Sequence, residues 1–169
     1  MGSPRKAPVD ATDQITIRPA TIHDVPEIVG IWGQLAVHHA RLDHAFAVAG
    51  NWEDEYRHFI RSLLGRDDAL AVVGVQGDRL LGFAVGRISL LPPFFAQRRR
   101  GYIHDVVTRE GFRRRGIGRR LVEALLEWMR EAGVSVAELT VAVRNQEAVA
   151  FWEALGFSRY MYHMKRDLE

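Results

Sequence analysis

Residues 101–121, GYIHDVVTREGFRRRGIGRRL, constrain this chain more than any other stretch. Tyr102–Thr108 is apolar and β-branched, as a strand is. Arg113–Gly118 is a basic, glycine-rich turn, and from Ile117 onward apolar residues recur at helical spacing. A strand, a glycine turn and a helix start, in that order, form a geometry that holds a phosphate. The leading N–H groups of such a helix have no intrahelical partner, and the macrodipole adds positive potential in front of them. Arg113, Arg114 and Arg115 add full charges, while Gly116 and Gly118 remove the Cβ atoms that would keep a pyrophosphate off the backbone.

Size and composition bound the rest. At 169 residues and 47% hydrophobic content, one globular domain is expected, residues 15–169. Residues 1–14 are polar and contain proline; they read as a disordered lead or expression remnant. No apolar run approaches the roughly 20 residues needed to span a bilayer, so no membrane partner is expected. With no cysteine there is no disulfide, thiolate metal site or cysteine nucleophile, and a cytoplasmic enzyme is the expectation. A net charge of +2 does not by itself imply a nucleic-acid partner.

Two commoner phosphate motifs do not match. No Gly-Lys-Ser or Gly-Lys-Thr occurs, so a Mg²⁺-triphosphate loop lacks its lysine and hydroxyl. A dinucleotide fingerprint needs a third glycine, where Leu121 stands, and belongs in the first βα unit rather than past mid-chain. The phrase Val106-Val107-Thr108-Arg109-Glu110, followed by Arg113, Gly116 and Gly118, instead resembles the coenzyme A loop of the GNAT superfamily of N-acetyltransferases. Residues 136–157, VAELTVAVRNQEAVAFWEALGF, resemble that family's second signature, with Asn145, Ala148, Phe151, Leu155, Gly156 and Phe157 in register. The opening ITIRPATIHDVPEI is similar to the way such domains begin, so the resemblance runs over roughly residues 15–168.

The elements read as follows. Residues 15–18 form a first strand. Thr21 and Asp24 cap a helix that carries Val25, Ile28, Val29, Trp32, Leu35, Ala36 and His39 at helical spacing and runs to about Leu42. A second helix covers residues 52–64, with Tyr56, Phe59, Ile60 and Leu63 on one face. Strands at 70–75 and 80–91 join across Gln76-Gly77-Asp78, and Pro92-Pro93 opens a loop to Arg100. The helix from Ile117, with Leu121, Leu125 and Trp128 on one face, stops at Gly133. A strand at 136–143, a helix at 146–155 and a last strand at 158–165 complete the order β-α-α-β-β-β-α-β-α-β. The expected fold class is α/β (α+β): a mixed, mostly antiparallel sheet with helices on both faces. By the resemblance, two of its strands splay to form the coenzyme cleft.

The resemblance also implies chemistry. An acetyl group passes from acetyl-CoA to the primary amine of a small molecule or peptide by direct attack on the thioester. Val106, Val107 and Thr108 would line the pantetheine arm. Arg113, Arg114, Arg115, Gly116, Ile117, Gly118 and Arg119 would hold the pyrophosphate, and Asn145 and Phe151 would flank the arm. Three demands follow: a base to take the amine's proton, a backbone N–H to steady the oxyanion, and in some cases an acid for the departing thiol. Many relatives have Ile-Glu-Asp where this chain has Ile103-His104-Asp105. An imidazole titrates near pH 6.5, so His104 is a candidate base; the bland alternative is a histidine packed on a half-buried strand. Alternation along the strand turns Asp105 to the opposite face, where it is either catalytic or a structural acceptor. Trp152 stands where relatives often carry an acidic tyrosine, and indole N–H does not usefully release a proton. Tyr160 and Tyr162 are substitute acids or sheet packing, and a thiolate also leaves unprotonated.

The acceptor side, by resemblance, draws on His38, His39, Asp43, His44, Tyr56 and the Pro92–Phe95 loop; Phe94 and Phe95 line its mouth or a dimer contact. His39 falls on an apolar face and reads as a core histidine. No His-x-x-x-His or His-x-His pair supports a metal there, and no metal is assigned. Arg98–Arg100 reads as a solvated surface or a grip on an acidic acceptor. Two rivals remain. One is a coenzyme-A-binding sensor without efficient turnover. The other is a nucleic-acid module, disfavoured because aromatics do not interleave the arginines.

Overall fold

The computed structural model describes residues 14–166, so the expected lead at 1–14 lies, but for Gln14, outside the described residues. They fall into two compact units, one ending at Leu139 and the other beginning at Thr140.

The first unit contains β1 (Thr16–Pro19), α1 (Val25–Leu42), α2 (Trp52–Leu63), β2 (Ala69–Gln76), β3 (Arg79–Leu90), β4 (Arg99–Thr108), α3 (Ile117–Glu131) and β5 (Ala137–Glu138). The strands lie in the order β1-β2-β3-β4-β5; all neighbours are antiparallel except β4 and β5, which are parallel. The β2–β3 hairpin turns at Gly77-Asp78 between the paired Gln76 and Arg79.

The two faces of the sheet differ because β3 alternates small and large residues. Phe83 and Val85 are fully buried, in one core with Val25, Ile28, Ile31 of α1 and Tyr56, Ile60, Leu63 of α2. Gly82 and Gly86 point the other way, toward α3. There a Cβ on Gly86 would lie 3.0 Å from Met129, and one on Gly74 3.3 Å from Ile117. Glycine lets α3 settle onto the sheet. Its inward residues are Ile117, Leu121, Val122, Leu125 and Met129; Met129, rather than the expected Trp128, is the fully buried one. Helices thus cover both faces.

Asp24 fixes the entry to α1. Its carboxylate accepts from Thr21 N (2.7 Å) and Thr21 Oγ1 (2.9 Å) and from both terminal nitrogens of Arg18 (2.8 Å each). Those charge-assisted bonds hold Asp24 down at a pKa of about 2.

Two expectations are corrected. The strand expected over 136–143 contracts to Ala137–Glu138, paired with Gly101 and Tyr102 only. The strand expected over 158–165 does not form. Alternating apolar sequence makes a strand only where a neighbour offers a ladder. Residues 140–143 of the second unit form none, so 158–165 has none to join there. The second unit's regular element is α4 (Gln146–Ala154). Asn145 caps it, its Oδ1 accepting from Ala148 N at 3.1 Å. Trp152 packs edge-on against both Phe151 and Phe157.

Candidate active site

The site grows from an irregularity in β4. Val85 pairs with Asp105, yet the next residue, Gly86, pairs with Ile103, so His104 is an extra residue opposite β3. Such a β-bulge bends the strand and re-aims side chains. It overturns the expectation that His104 and Asp105 face opposite ways. Asp105, opposite the core residue Val85, receives hydrogen bonds from α1 and α2: Trp32 Nε1 donates to Oδ1 at 3.1 Å and Tyr56 Oη to Oδ2 at 3.0 Å. His104 turns to the same side, its ring edge-on to Phe59 of α2 (6.0 Å between centroids) and to Tyr102 (4.9 Å). Simple alternation fails because the bulge adds one residue to the count.

Burial pushes the Asp105 carboxyl up, against the opposing pull of the Trp32 and Tyr56 hydrogen bonds and the neighbouring histidines. Both of its oxygens are acceptors, which suits a carboxylate held in place. Burial first, then the Asp105 charge, raises Tyr56 well above the ordinary tyrosine value, so its hydroxyl stays a donor. Partial withdrawal from water lowers His104, with Asp105 pulling it back up and Arg87 adding to the lowering. At neutral pH His104 is therefore a neutral ring able to accept a proton. His39, lowered mainly by burial, is a half-buried ring against Phe46.

Trp32 and Tyr56, stacked 4.2 Å apart, also line an apolar cleft of about 310 Å³ with Trp52, Phe59, Val48 and, at its rim, Glu55. Only Tyr56 of this set stood among the expected acceptor residues. Trp32 and Phe59 were legible only as the apolar spacing of α1 and α2, while Trp52, Val48 and Glu55 carried no signal as site residues.

Beyond the bulge, β4 leads into the glycine turn. Pairing with β5 ends at Tyr102, so from Ile103 to Thr108 no strand lies on that edge among the described residues. Val107 is buried in the core shared with α1 and α2, while Val106 and Thr108 are half-buried opposite Ala84 and Gly82. Arg109 ties the strand's end to α1, its Nη2 donating to Glu27 at 2.7 Å, and Glu110 N donates to Gln34 at 3.3 Å. Arg114 (φ 60°) and Gly116 (φ 78°) adopt left-handed conformations in the turn, the alternation that gathers N–H groups into an anion-binding concavity. A Cβ on Gly116 would meet nothing within 4 Å, so the space before the helix is open. The bond from Arg120 N to Gly116 O (3.1 Å) starts the helix, and the N–H groups of Ile117 and Gly118 precede it.

The arginines divide. Arg113 and Arg114 are exposed at the turn, and Arg115 stacks on Phe112, which Arg79 also covers (5.0 and 4.6 Å). Arg119 is exposed on the first turn of α3, and the Arg120 side chain donates to Ile15 O. Arg98, Arg99 and Arg100 are engaged locally, with Leu91 O, Ala132 O and Glu138. His44 is exposed beside Asp43, whose carboxylate accepts from Ala45 N. Phe94 and Phe95 pack on each other and are exposed. In the second unit, Asn145 is the helix cap, Phe151 is half-buried, and Tyr160 and Tyr162 are 72% and 97% exposed.

Comparison with known proteins identifies the family. The acetyltransferase (GNAT) family profile matches residues 34–157, and the chain belongs to that family. An uncharacterized N-acetyltransferase of Methanocaldococcus jannaschii is 31% identical over 102 residues, covering 60% of this chain and 44% of that protein. N-alpha-acetyltransferase 30 of Schizosaccharomyces pombe is 29% identical over 105 residues, covering 62% and 65%. The chain thus spans less than two thirds of either relative. Among solved structures, a mutant of the BH1408 protein of Bacillus halodurans superposes with a TM-score of 0.82 at 25% identity, covering 91% of this chain and 99% of that one. Glucosamine-6-phosphate N-acetyltransferase of Arabidopsis thaliana superposes at 0.67 with 23% identity, covering 93% and 100%, a likeness of fold. Among the described residues no helix is long and apolar enough to cross a membrane.

Proposed function

We propose that the protein transfers an acetyl group from acetyl-CoA to a primary amine of a small molecule or peptide, with His104 as the base. The observation that carries this reading is the bulge: it sets His104 and Asp105 on one face of β4, a few residues ahead of the open glycine turn.

The residues present suit the coenzyme. The α3 N-terminus with Arg113, Arg114, Arg115 and Arg119 offers N–H groups and positive charge to a pyrophosphate. The edge from Val106 to Thr108 on the side away from β3, where no strand lies among the described residues, offers backbone groups that an extended arm pairs. Asn145 and Phe151 are carried into the proposal by the family resemblance. When bound, acetyl-CoA supplies a thioester, the electrophile an amine attacks.

His104 takes the proton that the amine nitrogen gives up, directly or through one water. Asp105 steadies the imidazolium that results, itself held by Trp32 and Tyr56. Backbone N–H groups on the unpaired edge are donors for the carbonyl oxygen. The sulfur can depart as thiolate without an acid, which suits Trp152 in place of a tyrosine.

His104→Ala tests the reading. Turnover at neutral pH should fall by about 10²–10⁴, with acetyl-CoA affinity changed by less than about twofold. Unchanged turnover removes His104 from the mechanism. Coenzyme binding without turnover on any amine would instead identify a coenzyme-A-binding regulator.

A further inference from the structure

Resting on the acetyl-transfer reading, we propose that the acceptor is a primary amine bearing a bulky apolar or aromatic group, which occupies the cleft between α1 and α2 while its nitrogen reaches His104. This selects one substrate class among chemically unlike amines.

The cleft shares wall residues with His104 and Asp105. Trp32 and Tyr56 line it and also hold the two oxygens of Asp105. Phe59 lines it and packs against His104. A group seated there sets an attached amine beside the base. The lining is three aromatic side chains from α2, one from α1, and Val48 and Ala49 ahead of α2. The hollow is shallow and open to solvent, and its volume of about 310 Å³ suits one ring or branched chain laid against the aromatic side chains.

Among the described residues the single charged liner is Glu55, whose carboxylate accepts from Asn51 Nδ2 at 3.1 Å and stands at the exposed rim. A carboxylate there draws in an ammonium and repels acids. A polyhydroxylated or polycationic acceptor, such as an aminoglycoside or spermidine, finds almost no polar group in the cleft to replace its water. Val48 is 41% exposed, an apolar residue at the mouth that a bound apolar group covers.

The chain has no cysteine, so a thiol reagent reads released coenzyme A without background. The acceptors are 2-phenylethylamine, ethylamine, spermidine, kanamycin, and two peptide amides beginning with phenylalanine or aspartate. In parallel, 2-phenylethylamine and acetyl-CoA are titrated separately, using tryptophan fluorescence for the amine. The expected result is a kcat/KM for 2-phenylethylamine at least about tenfold above ethylamine, with spermidine and kanamycin below it. Trp52→Ala and Val48→Asp should both collapse that ratio; the second changes only an exposed side chain, guarding against misfolding. The peptide pair tells a free amine from a chain N-terminus: preference for the phenylalanine peptide over 2-phenylethylamine assigns the same cleft to a peptide's first side chain.

Turnover in which 2-phenylethylamine is no better than ethylamine overturns this inference and leaves acetyl transfer standing. Saturable amine binding, lost in Trp52→Ala, with acetyl-CoA bound but no turnover, supports the cleft's preference and overturns acetyl transfer. Absence of both amine binding and turnover overturns the inference outright.

Discussion

The two faces of the sheet solve different problems with the same strands. On the α3 face, Gly74, Gly82, Gly86 and Gly101 bring the helix close, and aliphatic side chains fill the seam. Among the described residues no polar side chain is buried there; the face carries a helix whose N-terminus meets the glycine turn. On the α1/α2 face, large aromatics stand over the strands, a carboxylate is taken out of water, and a cleft is left unfilled. Close packing holds a backbone terminus in place, which is what a phosphate needs. Loose aromatic packing around one fixed acid leaves room for a substrate of particular shape. The bulge at His104 belongs to the second face, interrupting the strand on the side where chemistry is proposed.

Neighbouring residues on β3 test that contrast most strongly. Phe83 is fully buried against α1 and α2, so Phe83→Ala should cost about 3–5 kcal/mol in chemical denaturation. Gly82 is its mirror: an added Cβ would lie 2.6 Å from Val107 O and 3.2 Å from Thr108 Cα. Gly82→Ala should cost about 1–3 kcal/mol, since it presses on backbone. If Gly82→Ala is neutral, the β3 and β4 backbones do not need glycine to pass closely on the α3 side.

Asp105→Asn tests the other face. The amide keeps the shape but leaves Trp32 and Tyr56 with one acceptor oxygen between them. With Asp105 in the proposed role of positioning His104, kcat/KM should fall roughly ten- to hundredfold. The pH profile gives the diagnostic: Asp105 raises the His104 pKa, and without that charge it falls further. The acid limb, set by protonated His104, should move to lower pH. A limb that stays put would show that Asp105 serves packing alone.

What was legible in the sequence was local. Helix α1 ends at Leu42, where the apolar spacing ends. The Gly77-Asp78 turn and the glycine turn before Ile117 stand where glycine and charge mark them. What was not legible depends on partners. Alternation in β4 counts residues, but a bulge depends on how β3 pairs, so the shared face of His104 and Asp105 emerges only with the register. The short β5 and the missing strand at 158–165 are further failures of this kind. Trp32 and Phe59 read as apolar-face residues because a helical stripe looks the same whether a neighbour fills the space or leaves a cleft.

The smallest expected effect concerns how α1 is anchored over the cleft. Asp24 has a folded pKa of about 2 against an ordinary 3.8, with its hydrogen bond to Arg18 the leading cause. A depressed acid contributes its full stability above the unfolded value and loses it as pH falls through the folded one. Between about pH 4 and pH 2 the protein should therefore lose stability in a step that Asp24→Asn lacks. The side chain of Arg18 is 39% exposed, so solvent screening trims the contribution to ~1–2 kcal/mol at neutral pH. Denaturation midpoints of the two proteins should differ at pH 7 and converge near pH 2. Parallel curves over that range would mean that Thr21 and Arg18 do not hold the start of α1. The cleft would then owe its shape to Trp32, Tyr56 and Asp105 alone.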